Sequence, residues 1–337
     1  MMRSFIPILS GSILAISPLT GAAQVHAPIL DKVGEEIVAT FSIVARDPAT
    51  GELAVAVQSR AFRAAAIVSY AKAGVGAVAT QASANQSYGP EGLALLEQGL
   101  SPEEVVRQLT EADPGRDRRQ LAVIDAGGRV KAYTGSGTSD WAGHIEGENY
   151  SVQGNILVGE AVVREMARAF EAAEGVLAER LMAALDAGQA AGGDARGKQS
   201  GGILIVKPIG DSGRTTDRWV DVRVDDHPTP FIEIRRLMNM SVSRNQSGLA
   251  SDFAEDERWA EAILAQRKAV ALAPESDRYL FQLSELYARA GSAPSALATL
   301  TLAIDRNPDW KERATTSDAF AGMRGDAEFR RIVSGGR

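Results

Sequence analysis

The feature that most constrains the fold is a strand–turn–strand pattern at residues 40–60. Residues 40–47 alternate in the manner of a half-buried strand, and residues 53–57 are wholly apolar. Between them, Pro48 presets φ and Gly51 accepts a positive φ, as a turn requires. We predict a hairpin in the centre of a sheet that is covered on both faces. A hairpin returns its second strand beside its first, so Thr40 should lie close to residues 58–60, a geometry that could serve catalysis by a threonine.

Composition excludes several function classes. The 337 residues suffice for about two domains with a real core. The net charge of −7 argues against nucleic acid or an anionic membrane as the main partner. The chain has no cysteine, which rules out thiol nucleophiles and thiolate metal sites. A three-histidine metal site would need His26, His144 and His227 together, so we predict no metal and no cofactor.

The amino-terminal residues have the pattern of an export signal. Arg3 precedes an apolar stretch at residues 5–19, and small residues at 21–23 permit cleavage before Gln24. An uncleaved membrane anchor is the alternative, but prolines interrupt the apolar stretch. We predict a signal peptide at residues 1–23, a spacer or propeptide at 24–39, and a periplasmic or secreted protein that leaves the membrane after signal cleavage.

The next two hundred residues predict a layered α+β domain, at residues 40–238. Strands are predicted at residues 72–81, 120–125, 129–134, 150–158, 203–207 and 219–224, and helices at residues 93–98, 103–112, 160–173, 176–187 and 231–238. Strands, then helices, then strands favour sheets inside and helices outside.

The carboxyl-terminal part reads as helical and repetitive. Residues 239–251 are polar and predict a linker. Beyond it, at residues 252–337, Pro274 and Pro308 stand 34 residues apart at equivalent positions, which is the tetratricopeptide period. An accidental helical hairpin is the alternative. A single repeat leaves its end faces uncapped, so we expect this module to pack on the first domain or bind a protein partner or second subunit.

Six segments of the first domain together resemble one known family. They are residues 40–47, 74–81, 87–93, 153–155, 192–194 and 221–227. The family is the bacterial and archaeal domain-of-unknown-function family one-zero-two-eight, which is grouped with the N-terminal-nucleophile (Ntn) hydrolase fold. The resemblance covers Thr40 to about Leu237 and implies a four-layer αββα sandwich and a hydrolase of unestablished substrate.

The resemblance also implies a catalytic threonine. An Ntn hydrolase uses the hydroxyl of an amino-terminal Thr, Ser or Cys, whose own α-amine accepts the proton. Thr40 matches the family's leading threonine, and a cut after Ala39 would be needed to expose it. Ser59 lies in a segment similar to one in proteasome subunits, with Gln58 in place of an Asp. Lys72 resembles the proteasome lysine that lowers the nucleophile's pKa.

Other polar residues are candidates for substrate binding. Asn155 and Gln153 could donate to an oxyanion, or satisfy the backbone in a turn. Asp194 could line a substrate or metal site, or belong to an ion-paired loop. Thr40 could equally be a β-branched strand residue, Ser59 a loop hydroxyl and Lys72 a solvated charge.

Two hypotheses follow. The first is an exported Ntn-type hydrolase that cleaves a small amide or peptide bond, with Thr40 and Lys72 catalytic and Gln58, Ser59, Asn155 and Asp194 binding substrate. The contrasting hypothesis is a binding or scaffold protein that keeps the fold without the chemistry and works through its helical repeat.

Overall fold

The predicted hairpin forms the middle of a six-stranded antiparallel sheet in a computed structural model of the chain. The structure describes residues 37–38, 40–138, 141–208 and 215–334. The predicted signal peptide and all of the spacer except residues 37–38 lie outside the described residues.

All strand pairs are antiparallel and belong to two sheets. The strands are β1 Ile37–Val38, β2 Thr40–Arg46, β3 Leu53–Ser59, β4 Ser69–Lys72, β5 Gly76–Ser83, β6 Arg119–Asp125, β7 Val130–Thr134, β8 Trp141–Gly147, β9 Tyr150–Leu157, β10 Ser200–Val206 and β11 Arg218–Val224. The six-stranded sheet has the order β11-β10-β3-β2-β9-β8. The five-stranded sheet has the order β1-β5-β6-β7, with β4 also paired to β5.

Helices make up the rest of the regular structure. The α-helices are α1 Ala64–Val68, α2 Tyr88–Glu97, α3 Pro102–Ala112, α4 Ala161–Ala172, α5 Leu177–Ala190, α6 Pro230–Glu255, α7 Trp259–Leu272, α8 Asp277–Arg289, α9 Ala293–Arg306, α10 Trp310–Thr316 and α11 Ala327–Ser334, and 3-10 helices span Arg116–Arg118 and Asp318–Met323. Ser101 caps α3 in a capping box with Glu104, as the sequence predicts. In the part of the chain that the structure describes, none of the helices combines the length and apolar character needed to cross a bilayer.

The two sheets face each other across an apolar core. Val44, Val55, Ala79 and Ala122 contribute to this core from four different strands. Helices α2 and α3 pack on the other face of the five-stranded sheet, and α4, α5 and the first half of α6 pack on the other face of the six-stranded sheet. The prediction of an α+β fold is confirmed.

The chain changes sheets immediately before Thr40. Ile37 and Val38 pair with Ser83 and Ala82 in the five-stranded sheet. Thr40, two residues after Val38, begins β2 in the six-stranded sheet. The chain therefore passes from one sheet to the other between Val38 and Thr40.

The predicted linker at residues 239–251 is wrong, because α6 runs through it without a break. Ile234, Met238 and Val242 recur every four residues and bury against the six-stranded sheet. Farther along the same helix, Ala250 packs with Ala262 of α7 and Leu286 of α8. The polar composition of this stretch predicts a linker, but the structure has one continuous helix there. Its first half packs on the six-stranded sheet and its second half packs on α7 and α8 of the helical module.

Candidate functional site

One end of the space between the sheets is lined by polar side chains. In a strand, alternate residues share a face, so Thr40 and Ser42 point to the same side of β2 as the core residue Val44. Opposite them, Gln81 and Gln120 point inward from the five-stranded sheet, and all four polar side chains are completely buried. We define this set, with Ser59, Gln153 and Asn155, as the polar cluster.

Thr40 lies between two polar neighbours on adjacent strands. Its Cα pairs with Ser59 of β3 on one side and Asn155 of β9 on the other. Directly opposed residues present their side chains on the same face, with Cβ atoms about 4.5–5.5 Å apart. Thr40 Oγ1 donates to Ser59 Oγ over 3.2 Å, and Ser59 Oγ also accepts from the Ala61 amide at 2.9 Å. The predicted proximity of Thr40 to the end of the second hairpin strand is confirmed.

Gln120 is the hub of the polar cluster. Its Oε1 accepts from Gln81 Nε2 at 2.7 Å and from Asn155 Nδ2 at 3.1 Å. Its Nε2 contacts the carbonyl oxygen of Gly154 at 2.9 Å and Thr134 Oγ1 at the same distance. One glutamine thus ties both sheets together beside Thr40.

Ser42 extends the network along β2. Its hydroxyl donates to Gln81 Oε1 and accepts from Gln153 Nε2, both at 2.7 Å. Ser151 in turn donates to Gln153 Oε1 at 3.0 Å. Gln153 is therefore engaged by side chains of its own sheet, whereas Asn155 Oδ1 is buried and has no hydrogen-bond partner among the described residues.

His144 lies at the margin of the polar cluster. Its Nδ1 is 2.9 Å from Thr134 Oγ1, which connects it to Gln120 through one hydroxyl. Burial lowers the pKa of His144 from its usual range, although the nearby carboxylate of Glu146 opposes the shift. Burial of the imidazole therefore favours its neutral form.

Left-handed backbone conformations surround the site. Ala82, the partner of Val38, has φ 67°, and Ile156, next to Asn155, has φ 53°. For a β-branched residue such as isoleucine this region is a genuine outlier. Strained residues of this kind persist where the surrounding structure over-determines them, and they cluster at functional sites.

Asp194 borders the site in an ion-paired loop. Its side chain is buried and holds Arg196 Nη2 at 3.1 Å, while its Oδ2 accepts from the Arg60 amide at 3.0 Å. A bridge to Leu157 fixes the same loop to the end of β9. Asp194 therefore anchors the loop beside Ser59 and Asn155, which matches the ion-paired alternative considered for it.

The structure does not bring Lys72 to Thr40. Lys72 pairs with Gly76 at the start of β5, whereas Ala82, beside the site, is six residues along the same strand. At about 3.3 Å a residue, this places Lys72 roughly 20 Å away. Its exposed ammonium pairs with Glu97 instead. The prediction of Lys72 as a catalytic partner of Thr40 is therefore contradicted.

Gln58 faces away from Thr40. It pairs with Phe41, and the alternation of β3 turns it toward the helices α4 and α5, on the other face of the sheet. Both of its amide atoms are buried and have no partner among the described residues. The prediction that Gln58 binds substrate with Ser59 is contradicted by this orientation.

Ser42, Gln81 and Gln120 were not among the predicted site residues. The sequence holds a signal for Ser42, because it shares the buried face of β2 with Thr40 two residues earlier. No local signal identifies Gln81 and Gln120, since their position depends on how the two sheets pack. Across the described residues, no three His, Cys, Asp or Glu side chains come close enough to hold a metal ion.

Fold and site together define a two-sheet α+β protein with a buried, threonine-centred polar cluster where the chain passes between sheets. The chain belongs to a family of unknown function, DUF1028, whose model matches residues 40–234. This confirms the sequence resemblance at the level of a domain-of-unknown-function family.

A solved structure supports this assignment. The chain is similar to protein SPO2555 from Silicibacter pomeroyi, whose crystal structure carries the same family label. The two are 32% identical, with a TM-score of 0.56, over 60% of this chain and 86% of that chain. Comparison with curated proteins gives no match.

Proposed function

We propose that this protein is an exported hydrolase of the Ntn type, which cleaves a small amide or peptide bond with Thr40 and without a cofactor. The observation that carries the proposal is the position of Thr40. It begins β2 directly after the chain crosses between sheets, with its hydroxyl on Ser59 and in a buried polar cluster. The family match also begins at Thr40.

Cleavage after residue 39 would give Thr40 a free α-amine. Such an amine has a pKa of about 7.7–8.0, so a useful fraction is neutral near pH 7 and can act as a base. The Thr40 hydroxyl would attack the substrate carbonyl, with its proton passing through the α-amine to the leaving amine. Water would then hydrolyse the resulting ester.

Two neighbours are suited to assist this chemistry. Ser59 Oγ already holds the Thr40 hydroxyl. Asn155 Oδ1 is a buried acceptor next to Thr40, and a buried acceptor without a donor costs about 1–3 kcal/mol. A new α-amine or a substrate N–H would satisfy it.

The proposal extends to the fold family and the location. The order of helices, sheet, sheet and helices is compatible with the four-layer Ntn sandwich that the resemblance implies. Export rests on the sequence of residues 1–23, which precede the described part of the chain.

Intact-mass analysis and amino-terminal sequencing of the mature protein test the proposal. We expect a species that begins at Thr40, and its absence after the Thr40→Ala substitution. Thr80→Ala is the matched control, because Thr80 is also completely buried but bonds the Asn85 carbonyl and lies outside the polar cluster. A uniform terminus at Gln24 in an active wild-type protein would refute the mechanism.

A groove in the helical module favours the alternative, a binding or scaffold protein. The groove has a volume of about 470 Å³ and lies between α8 and α10. Phe281 and Trp310, whose rings stack at 4.3 Å, form its floor, and Arg278 and Arg313 border it. Helix α8 lies within the predicted tetratricopeptide repeat and α10 follows it, and we propose that the groove docks a protein partner or second subunit.

Substitutions at Thr40 and in the groove distinguish the hydrolase from the scaffold protein. A scaffold would keep its biological activity with Thr40→Ala and lose it with Arg313→Glu in the groove. Lys311→Glu makes the same charge change on α10 outside the groove lining and serves as the control. Loss of activity with Thr40→Ala in a folded protein would exclude the scaffold alternative.

A further inference from the structure

We propose that Arg60 binds a carboxylate of the substrate, and that the substrate is an acylated amino acid or a peptide carboxyl end. This inference deepens the proposed function and rests on it for the location of the site. It assigns a role to a residue that the mechanism above does not use.

Arg60 is held in place at the edge of the polar cluster. It directly follows Ser59, the cross-strand partner of Thr40. Its amide donates to the buried carboxylate of Asp194 at 3.0 Å, and its guanidinium Nη1 donates to Gln199 Oε1. Backbone and side chain are thus both fixed before any ligand arrives, which reduces the entropy lost on binding.

Gly197 lies beside the Arg60 side chain. Its φ is +112°, a conformation that favours glycine, and a Cβ built there would make ordinary van der Waals contact with Arg60 Cδ at 3.6 Å. The loop at residues 192–200 therefore packs its backbone along the arginine stem.

The carboxylates near Arg60 are engaged by other side chains. The Asp194 carboxylate accepts from the Arg60 amide but forms its ion pair with the Arg196 guanidinium. Gln199, which accepts from the Arg60 guanidinium, is neutral and donates to the Asp226 carboxylate at 3.2 Å, so Asp226 is one side chain removed from Arg60. Within the part of the chain that the structure describes, Arg60 forms no ion pair although it is half-buried. A partly desolvated guanidinium in this state favours an anionic ligand, and its planar fork matches a carboxylate.

Two exposed apolar side chains follow closely in sequence after the cross-strand partners of Thr40. Phe62 and Val158 each lie three residues beyond a cross-strand partner of Thr40, namely Ser59 and Asn155. They are 50% and 56% exposed, respectively. An apolar acyl group next to the scissile amide would cover them. A carboxylate on one side of the amide and an apolar group on the other describe an N-acyl amino acid.

Calorimetric binding to the full chain tests this inference. The Thr40→Ala variant is titrated with N-hexanoylglycine and with N-hexanoylglycinamide, which differ only in the charge of the carboxyl group. We expect the carboxylate to bind at least about tenfold more tightly, as one charge-assisted hydrogen bond warrants. Adding Arg60→Gln should abolish that preference, and Arg60→Lys should restore part of it.

Lys198→Gln provides the matched control. Lys198 is exposed in the same loop, next to Gln199, so its loss removes an equal charge without touching Arg60. We expect it to leave the carboxylate preference within about twofold. Failure of the acid to bind, equal binding of acid and amide, or an equal effect of Lys198→Gln would each overturn the proposal.

The outcome is independent of processing. Equal binding of the acid and the amide by one protein already overturns the proposal without any substitution at Arg60, and the Arg60→Lys variant assigns the preference to Arg60 if Arg60→Gln misfolds. Binding to Thr40→Ala also requires no cut after residue 39. A protein that is never processed would fail the amino-terminal test and could still show the carboxylate preference.

Discussion

The space between the two sheets is apolar at one end and polar at the other, although both ends are equally buried. At the apolar end, Leu53, Ala77 and Ile124 have no exposed surface and belong to one cluster of buried hydrophobic side chains. At the polar end, Thr40 and Gln120 are just as inaccessible but are joined by hydrogen bonds. The same strands build both ends.

This difference teaches that stability alone does not account for the polar end. Apolar burial contributes about 25 cal/mol per Å². A buried hydrogen bond contributes a net of only about 1 kcal/mol, and an unpaired acceptor such as Asn155 Oδ1 costs more than that. The polar end, where Thr40 lies, is therefore less stabilised than an apolar core of the same size would be.

The largest expected effect comes from the ion pair that closes the polar end on its helix side. Arg119 Nη1 donates to the Ser83 carbonyl, and its Nε binds Asp113, with both side chains about nine-tenths buried. Asp113→Asn would remove the carboxylate charge that pairs with the buried Arg119 Nε and should lower the free energy of unfolding by about 3–5 kcal/mol. The control is Asp125→Asn at the opposite end of β6. Asp125 pairs with Arg129, which is exposed, so this substitution should lower the free energy of unfolding by less. Equal losses of unfolding free energy in the two variants, measured by urea unfolding, would contradict this prediction.

The same ion pair gives the polar end an acid dependence. Burial raises the pKa of Asp113, but hydrogen bonds from Arg119, the Gly115 amide and Tyr88 outweigh it and lower the pKa to about 2. Because the folded pKa lies below the unfolded value of about 3.8, this stabilisation is present above pH 4 and is lost as the pH falls toward 2. Asp113→Asn should flatten that part of the urea stability profile.

The second prediction compares the two ends on one strand face. Gln120→Leu removes the acceptor shared by the amides of Gln81 and Asn155. We therefore expect the free energy of unfolding to fall by about 2–3 kcal/mol. Ile124→Val, four residues along the same face, should cost about 0.5–1.5 kcal/mol. Denaturant unfolding measures both. A Gln120→Leu protein more stable than wild type would show that the network is not integrated into the fold.

The smallest effect is expected at Lys72, beyond the apolar end. Its ion pair with Glu97 is about half exposed, so Lys72→Ala should change stability by less than about 0.5 kcal/mol. Processing at Thr40 should be unchanged, as measured by intact mass. Loss of processing in this variant would show that Lys72 acts at Thr40, in agreement with its predicted catalytic role.

The sequence predicts correctly the contacts between residues that are close together in the chain. The turn at residues 47–51 fixes the register of the hairpin, so the proximity of Thr40 and Ser59 follows from the sequence. Strand alternation, applied strictly, would also have turned Gln58 away from Ser59. The pairing of Gln81 with Gln120 across β5 and β6 depends on long-range contacts that no local pattern reports.

Helix α6 illustrates a different failure. Its serines and asparagines gave the composition of a loop, and only the four-residue spacing of Ile234, Met238 and Val242 marked a buried face. A short apolar stripe among polar residues is a weak signal until the sheet it covers is known.

The continuity of α6 has a consequence for how such modules can be exchanged. The family match ends at residue 234, inside this helix, so the natural boundary of the family falls within a rigid element. Each inserted residue would rotate everything beyond it by about 100° around the helix axis. A different carboxyl-terminal module can therefore be joined only in phase with the turns of α6, which sets its angular orientation on the sandwich.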